Sequence, residues 1–581
     1  MSQKSNDRKL DRSEIGKLMA SATRRPELVF ALVPTLGADK EVVIQELEAS
    51  LSSVGYNMNL VRLTDRLVSE FQAGEANRVT SKMDRADQVR ELFKRSEAMA
   101  LLAIQDIITR RGNSYGSTAW VLDSLAHPKE IEILRGVYGK RLFVIACDAP
   151  WNTRHEALTR KFRTRSRLSE SQAAAQALSA MYRHTGAPIP ESGSNGHHEQ
   201  VVSEFRLAVG KALHEADVFV RTDDPNRTHT VVKRLVEAIF SHPYHTPNLD
   251  EIGMACAFQI RAKSASLSRQ VGAAIMVDDQ IVAVGCNEVP RAGGGTYDTE
   301  SDPDAREWVE GVDPSDRFKS QILSDLLGRL AQEGFMADEQ DITRKALDSK
   351  LITEAELFDI IEYARPAHAE MVAITAAARL GVKIGGGTLY TTTLPCHECT
   401  RNIIASGIKR VVYLEPYPKS RGEELYSDSI AMVVHHGSQT KKLSFEPFSG
   451  FSYRRFSDLF SWVTRKRDDL PERDGNRQYD GLCRIWKPKE DPVRGSILNP
   501  ILDSAEILTQ YFREWVVARS IPSTEGASRE TDPNPLREVA EQVYASLGEE
   551  VPIYEPVSLN NDERVRFSEL VRESLGPVAG K

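Results

Sequence analysis

Two short segments constrain this chain more than any others: His368-Ala369-Glu370, and further along Pro395-Cys396-His397-Glu398-Cys399. A histidine at the start of one helix and a Cys-x-x-Cys at the N-terminus of another supply three ligands to one zinc ion per subunit and leave a fourth position open. Any fold for this chain must therefore bring two helix starts to one point. Glu370 lies two residues beyond His368, about 200° around an α-helix, so it does not share the histidine's direction as a ligand. It faces the metal's water instead. Helix N-termini favour thiolates at Cys396 and Cys399. Zinc lowers the pKa of a coordinated water, and a carboxylate placed like Glu370 carries that water's protons in turn, one to a ring nitrogen and one to the departing amine. The chemistry this set supports is hydrolytic deamination of a base. Two other readings compete: a closed structural zinc site with His397 as fourth ligand, and a redox Cys-x-x-Cys. The first lacks the paired Cys/His pattern of structural sites, and the second leaves His368-x-Glu370 unexplained.

The scaffold around these residues reads as α/β. An apolar run at 28–33 (LVFALV), the turn Pro34-Thr35-Leu36-Gly37 and apolar residues at helical spacing from Val42 predict strand, turn and helix. Further apolar runs at 98–104, 141–146 and 216–221 alternate with helix-like segments, as in a mostly parallel sheet. A first domain is expected over 26–241. Within it, 186–200 carries no periodicity and reads as a loop, and its His197 and His198 have no spaced partners. A hairpin is predicted from 271–277 and 281–286, an insertion over about 291–363 with a helix near 318–330, and a Pro-start, Gly-stop helix over 366–380. A strand at 388–393, a helix at 396–406, a strand at 410–414, a helix at 423–434 and a strand at 442–448 complete a second domain, 250–448. The remainder, 449–581, reads as a polar C-terminal extension.

Charge separates the partners such a chain can have. Lys and Arg total 75 against 83 for Asp and Glu, a net charge of -8. Such a field repels a nucleic-acid backbone, so a DNA substrate is not expected. Six cysteines in 581 residues make no disulfide framework, and no stretch reaches the length of a membrane span. The expectation is a cytoplasmic protein that engages no membrane.

With its order H-x-E and then P-C-x-x-C, the segment 250–448 resembles the zinc-dependent cytidine and deoxycytidylate deaminase family. Ser264-Ala265-Ser266-Leu267-Ser268-Arg269-Gln270-Val271-Gly272-Ala273 resembles the family's first substrate-side loop and strand, and Cys286-Asn287-Glu288-Val289-Pro290 its N-x-x-P segment. The resemblance implies that Asn287 binds the deoxyribose and that the backbone at Ala273 contacts the cytosine. It also makes Tyr417 and Lys419, after the strand that follows the zinc helix, candidates for base or phosphate contact. The family often carries an Asp where Ser266 stands. Gly293, Gly294 and Gly295 form a candidate anion nest, as does Gly37 at the first turn.

The strand-turn-helix at 28–54 has the layout of a phosphate-binding loop without its chemistry: Ala38 stands where the lysine belongs, and Lys40 comes two positions late. A degenerate P-loop-kinase-like domain joined to this zinc domain is similar to the bacterial anti-phage deoxycytidine-nucleotide deaminases. That similarity implies conversion of free dCTP and dCMP to uracil nucleotides and a homo-oligomer, a hexamer in deoxycytidylate deaminases. It further implies an N-terminal domain that controls rather than catalyses, with activity restrained in some members by a small RNA. A housekeeping dCMP deaminase, a nucleic-acid-editing deaminase and a nucleotide sensor are the alternatives.

Overall fold

A computed structural model describes residues 26–460 apart from 63–74, 112–116, 167, 186–206, 241–244, 268, 312–313, 336–341, 354, 361–362, 418–419 and 433–440, together with residue 514. Residues 248–448 form one compact unit, and the described residues on either side of them form another.

The flanking segments build a six-stranded sheet. Its strands are β1 (Leu28–Pro34), β2 (Asn57–Arg62), β3 (Thr118–Asp123), β4 (Leu142–Asp148), β5 (Val218–Arg221) and, antiparallel at the β5 edge, Gly450–Phe451, in the order β2-β3-β1-β4-β5 and then Gly450–Phe451. The first five are mutually parallel. β1 is buried along its whole length, which is why it reads as an unbroken apolar run instead of an alternating one.

The run at 98–104, grouped above with the strands, is the start of a helix, Ala98–Arg111. Its residues are Ala, Met, Leu and Ile, mostly strong helix formers, and a short apolar run has no period that tells helix from strand. The strands β2 and β3 were not anticipated. β2 reads NMNLVR and is buried at one position only, so its apolar signal is weak.

The C-terminal side also departs from expectation. Residues 449–460 are not a polar tail: Phe451, Leu459 and Phe460 sit in the core with Val218, Val220 and Val232. Beyond them Glu514 is fully buried, and its carboxylate grips the Arg111 guanidinium at 2.7 and 2.9 Å. Arg111 also pairs with Glu27 at 2.8 Å, and Glu27 accepts from the Trp120 indole at 3.3 Å. Burial pushes the Glu27 carboxyl above its ordinary range, with Arg111 opposing. Removing the Arg111 guanidinium from two buried carboxylates is expected to be severe: Arg111→Ala should lower unfolding stability by about 3–5 kcal/mol. Urea unfolding followed by Trp120 fluorescence checks this; an unchanged midpoint would show that the cluster contributes nothing.

Residues 248–448 build the second sheet, from β6 (Gly272–Val277), β7 (Gln280–Cys286), β8 (Thr388–Thr393), β9 (Arg410–Glu415), β10 (Ile430–Ala431) and β11 (Leu443–Pro447), in the order β7-β6-β8-β9-β11-β10. β6 runs antiparallel to β7 and β8, while β8, β9, β11 and β10 are mutually parallel. Asp278 and Asp279, both at positive φ (48° and 63°), close the β6–β7 hairpin, a conformation that short polar residues tolerate. The helix expected at 423–434 is only Gly422–Leu425, and the chain then turns into β10. The helix expected near 318–330 spans Pro314–Gln332. Gly285 lets the Ala369–Leu380 helix lie on β7, since a Cβ there would come within 2.4 Å of the Ala369 carbonyl oxygen. Among the described residues no helix is long and apolar enough to cross a membrane. The loop at 186–200 with His197 and His198, and most of the extension, lie outside the described residues.

Candidate metal centre and active site

The antiparallel β6–β7 pair and the parallel β8–β9 pair bring four chain segments to one end of the second sheet. These are the described residues of the loop 264–271 before β6, residues 287–290 after β7, residues 394–397 after β8 and residues 416–417 after β9. The helix Ala369–Leu380 begins beside them, because Ala367 and Glu288 form an antiparallel bridge with N–H···O distances of 3.1 and 3.3 Å. That bridge corrects the expected helix start. Residues 366–367 precede the helix, and His368 is its N-cap residue with extended backbone (φ -67°, ψ 151°). Because the cap residue is not helical, the 200° helical offset does not apply between His368 and Glu370.

At this end His368, Cys396 and Cys399 converge, with one donor atom from each lying within 4.8 Å of the others. The His368 Nδ1 is 3.2 Å from the Cys396 Sγ and 3.3 Å from the Cys399 Sγ. Two thiolates and one imidazole at that separation suit a tetrahedral zinc ion, whose Zn–S and Zn–N bonds of about 2.3 and 2.0 Å place neighbouring ligand atoms about 3.5 Å apart. Cys396 is the N-cap of the His397–Ala405 helix, and its sulfur accepts from the Cys399 amide at 3.5 Å. Hydrogen bonding from Cys399, reinforced by His368, pulls the Cys396 thiol down to about 4. Within the pair the hydrogen bond to Cys396 and burial push Cys399 up instead, so a metal must displace a proton from the pair to gain both thiolates. His397 does not join the cluster; among the described residues no fourth protein ligand does, and the closed structural site is not formed.

Glu370 is 4% exposed. Burial pushes its carboxyl above the ordinary carboxylate range, countered in part by His368. The Thr391 hydroxyl, fully buried, lies 3.0 Å from the Glu370 Oε1 and 3.0 Å from the Thr393 carbonyl oxygen. A hydroxyl has one proton to give, so Thr391 can donate to a charged Glu370, or accept from a protonated one while donating to Thr393. Thr391 was not singled out from the sequence, since an unremarkable Thr in a strand carries no signal before its neighbour across the sheet is known.

The other expected residues separate. Ala273 is buried in β6, paired with Thr391 and Gly285. Asn287 is at the same end, but its amide is engaged by the loop: Oδ1 accepts from Val271 N–H at 2.6 Å and Nδ2 donates to the Arg269 carbonyl at 2.7 Å. Tyr417 packs on the core, and the Arg269 guanidinium stands 5.4 Å from its ring centre and 4.0 Å from Glu415. Arg269 is a cation the sequence reading passed over. Lys419 lies outside the described residues. Ser266, where the resemblance expects an Asp, donates to the carboxylate of Glu307 at 3.1 Å.

At both glycine turns the chain itself takes up part of the backbone N–H set. Gly293, Gly294 and Gly295 take φ of 87°, 98° and 80°, but the Gly294 amide is bonded to the Arg291 carbonyl, and Arg291 N–H closes the turn onto Gly295. At Gly37 (φ 93°) the amides of Ala38, Asp39 and Lys40 are bonded to Thr35, the Thr222 hydroxyl and Ala38. The Lys40 ammonium is held by Asp123 at 2.7 and 2.8 Å and by Ser124 at 2.7 Å.

Residues 247–415 match the cytidine and deoxycytidylate deaminase zinc-binding region, a span that includes His368, Glu370, Cys396 and Cys399. The deoxycytidylate deaminase of Enterobacteria phage T2 is 50% identical over 54 residues, 9% of this chain and 29% of the phage protein. A probable deoxycytidylate deaminase of Drosophila melanogaster is 32% identical over 109 residues, 19% of this chain and 45% of the fly protein. The chain thus spans less than half the length of either relative. The dCMP deaminase of cyanophage S-TIM5, solved with dCMP and dUMP, is 18% identical and covers 35% of this chain and 100% of its own, with a TM-score of 0.20. His368, Cys396 and Cys399 are the zinc site of this matched region.

Proposed function

We propose that this protein hydrolytically deaminates free deoxycytidine nucleotides, dCMP and dCTP, to the corresponding uracil nucleotides with release of ammonia. One observation carries the reading: a three-ligand His/Cys/Cys centre lies beside a buried carboxylate, Glu370, inside a segment that matches the deaminase zinc-binding region. Zinc, held by His368, Cys396 and Cys399, would supply Lewis acidity and an activated water. Glu370 moves protons, taking one from the attacking water to the ring nitrogen, where it stays, and then carrying the second from the newly formed hydroxyl to the amine, which leaves as ammonia. Thr391 keeps Glu370 oriented in either protonation state. Ala273 offers the backbone of β6 to the base, and the Asn287 amide, having fixed the loop, keeps a second N–H for the sugar. Arg269, half exposed above Tyr417, suits a phosphate, as does Lys419 by its place in the sequence.

The N-terminal unit reads as a degenerate P-loop-like domain with a controlling role. Its parallel strand order supports this, and the engagement of Lys40 by Asp123 argues against phosphoryl transfer. By resemblance, the reaction serves anti-phage defence through depletion of the dC nucleotide pool, in a homo-oligomer restrained in some members by a small RNA. A sequence pI near 6.0 favours free nucleotides over a polynucleotide substrate. The test is a panel of dCMP, dCTP, cytidine nucleotides and a single-stranded oligonucleotide, read by ammonia release with and without phage-infected lysate. Deamination of dCMP or dCTP is expected; activity confined to the oligonucleotide would overturn the reading.

A further inference from the structure

The loop 264–271 is held from two sides by two buried carboxylates that lie outside the catalytic set. On one side stands Glu288, fully buried. Its Oε2 accepts from the Ala265 amide at 2.7 Å and its Oε1 from the Val289 amide at 2.8 Å. On the other stands Glu307, 3% exposed, in the short helix Glu307–Glu310 of the insertion. Its Oε2 accepts from the Ser266 hydroxyl at 3.1 Å and lies 3.4 Å from the Leu267 amide. Its chain neighbour Arg306 is tied to Asp304 by contacts of 2.7, 3.0 and 3.1 Å, so that cation is directed elsewhere. A carboxylate persists in a buried place only where donors meet it, so the docking of the insertion and the position of the loop depend on each other.

This loop belongs to the active end of the sheet. It ends at Gly272, whose amide donates to the Thr392 hydroxyl at 3.1 Å, next to the Thr391 that holds Glu370. It also carries Arg269 with its guanidinium over Tyr417. A shift of the loop at Ser266 therefore moves the cation meant for the nucleotide without touching the zinc ligands.

We propose that Glu307 is a positioning residue. Through Ser266 it fixes the loop that carries Arg269, which makes the short helix Glu307–Glu310 a support of the nucleotide-binding wall and a determinant of substrate affinity. This rests on the function proposed above. The test compares the full-length protein with Glu307→Ala, Ser266→Ala and the double variant, by amide hydrogen exchange over 264–271 and by steady-state kinetics on dCMP. Each single variant is expected to speed exchange at 265–267 and to raise KM about tenfold with kcat little changed and zinc retained. The double variant should do little more than Glu307→Ala alone, because that variant already removes the Ser266 contact. Unchanged exchange and KM in both singles, effects that multiply in the double, or a fall in kcat together with zinc content would each overturn the proposal. If the wild-type protein does not act on dCMP, the proposed function falls on its own, and the exchange rates with their additivity still decide the Glu307–Ser266 contact.

Discussion

Glu370→Gln should leave zinc bound and the fold intact while kcat for dCMP falls by a thousandfold or more, about the upper range for loss of a general acid/base. The amide matches the carboxylate in shape and can still meet the Thr391 hydroxyl, so the packing around it is preserved. What it cannot do is take up a proton and release it. Glu370 is not among the three converging ligand atoms, so metal content should be unaffected. Zinc measured by elemental analysis alongside ammonia release separates the two properties. Retained turnover within tenfold would remove Glu370 from the mechanism, and loss of zinc would make it a ligand instead of an acid/base.

Cys399→Ala should have the opposite pattern, with the metal lost and the activity lost with it. Cys399 is 1% exposed and supplies one of the three ligand atoms that converge among the described residues. A site reduced to one imidazole and one thiolate loses most of its affinity for zinc. The variant should also melt at a lower temperature than the zinc-loaded protein, because a ligand that binds only the folded state stabilises it by mass action. Treating the wild-type protein with a chelator should reproduce both effects, and restoring zinc should reverse them in the wild type only. Full zinc occupancy in Cys399→Ala would mean that the metal is held elsewhere. Normal turnover without zinc would contradict the role given to it.

The centre was legible because its chemistry forces particular residue types into short spacings. His368-x-Glu370 and Cys396-x-x-Cys399 are local patterns, and the structure brings them together at two helix starts. The β6–β7 hairpin and the strands at 388–393 and 410–415 were legible for the same reason, their apolar runs being bounded by turn residues. Positions that depend on distant partners were not. Thr391, Glu288 and Glu307 become informative only when the sheet and the insertion are folded around them. The misreading at 98–104 shows the limit of short apolar runs, and the burial of Phe451, Phe460 and Glu514 shows that a polar average conceals a few anchoring residues. The first helix turn is instructive in another way. Lys40 looked misplaced for a phosphate, and the structure gives it a different task, as partner to Asp123.

The central claim is hydrolytic exchange of an exocyclic amine for oxygen on a free deoxycytidine nucleotide, and it is tested most directly by running the reaction in water enriched in heavy oxygen. The zinc-loaded protein should convert dCMP to dUMP carrying a single heavy oxygen on the ring, with one ammonia released for each dUMP and none from Glu370→Gln. Unlabelled dUMP, ammonia out of proportion to product, or no conversion of either dCMP or dCTP by the zinc-loaded protein would contradict it.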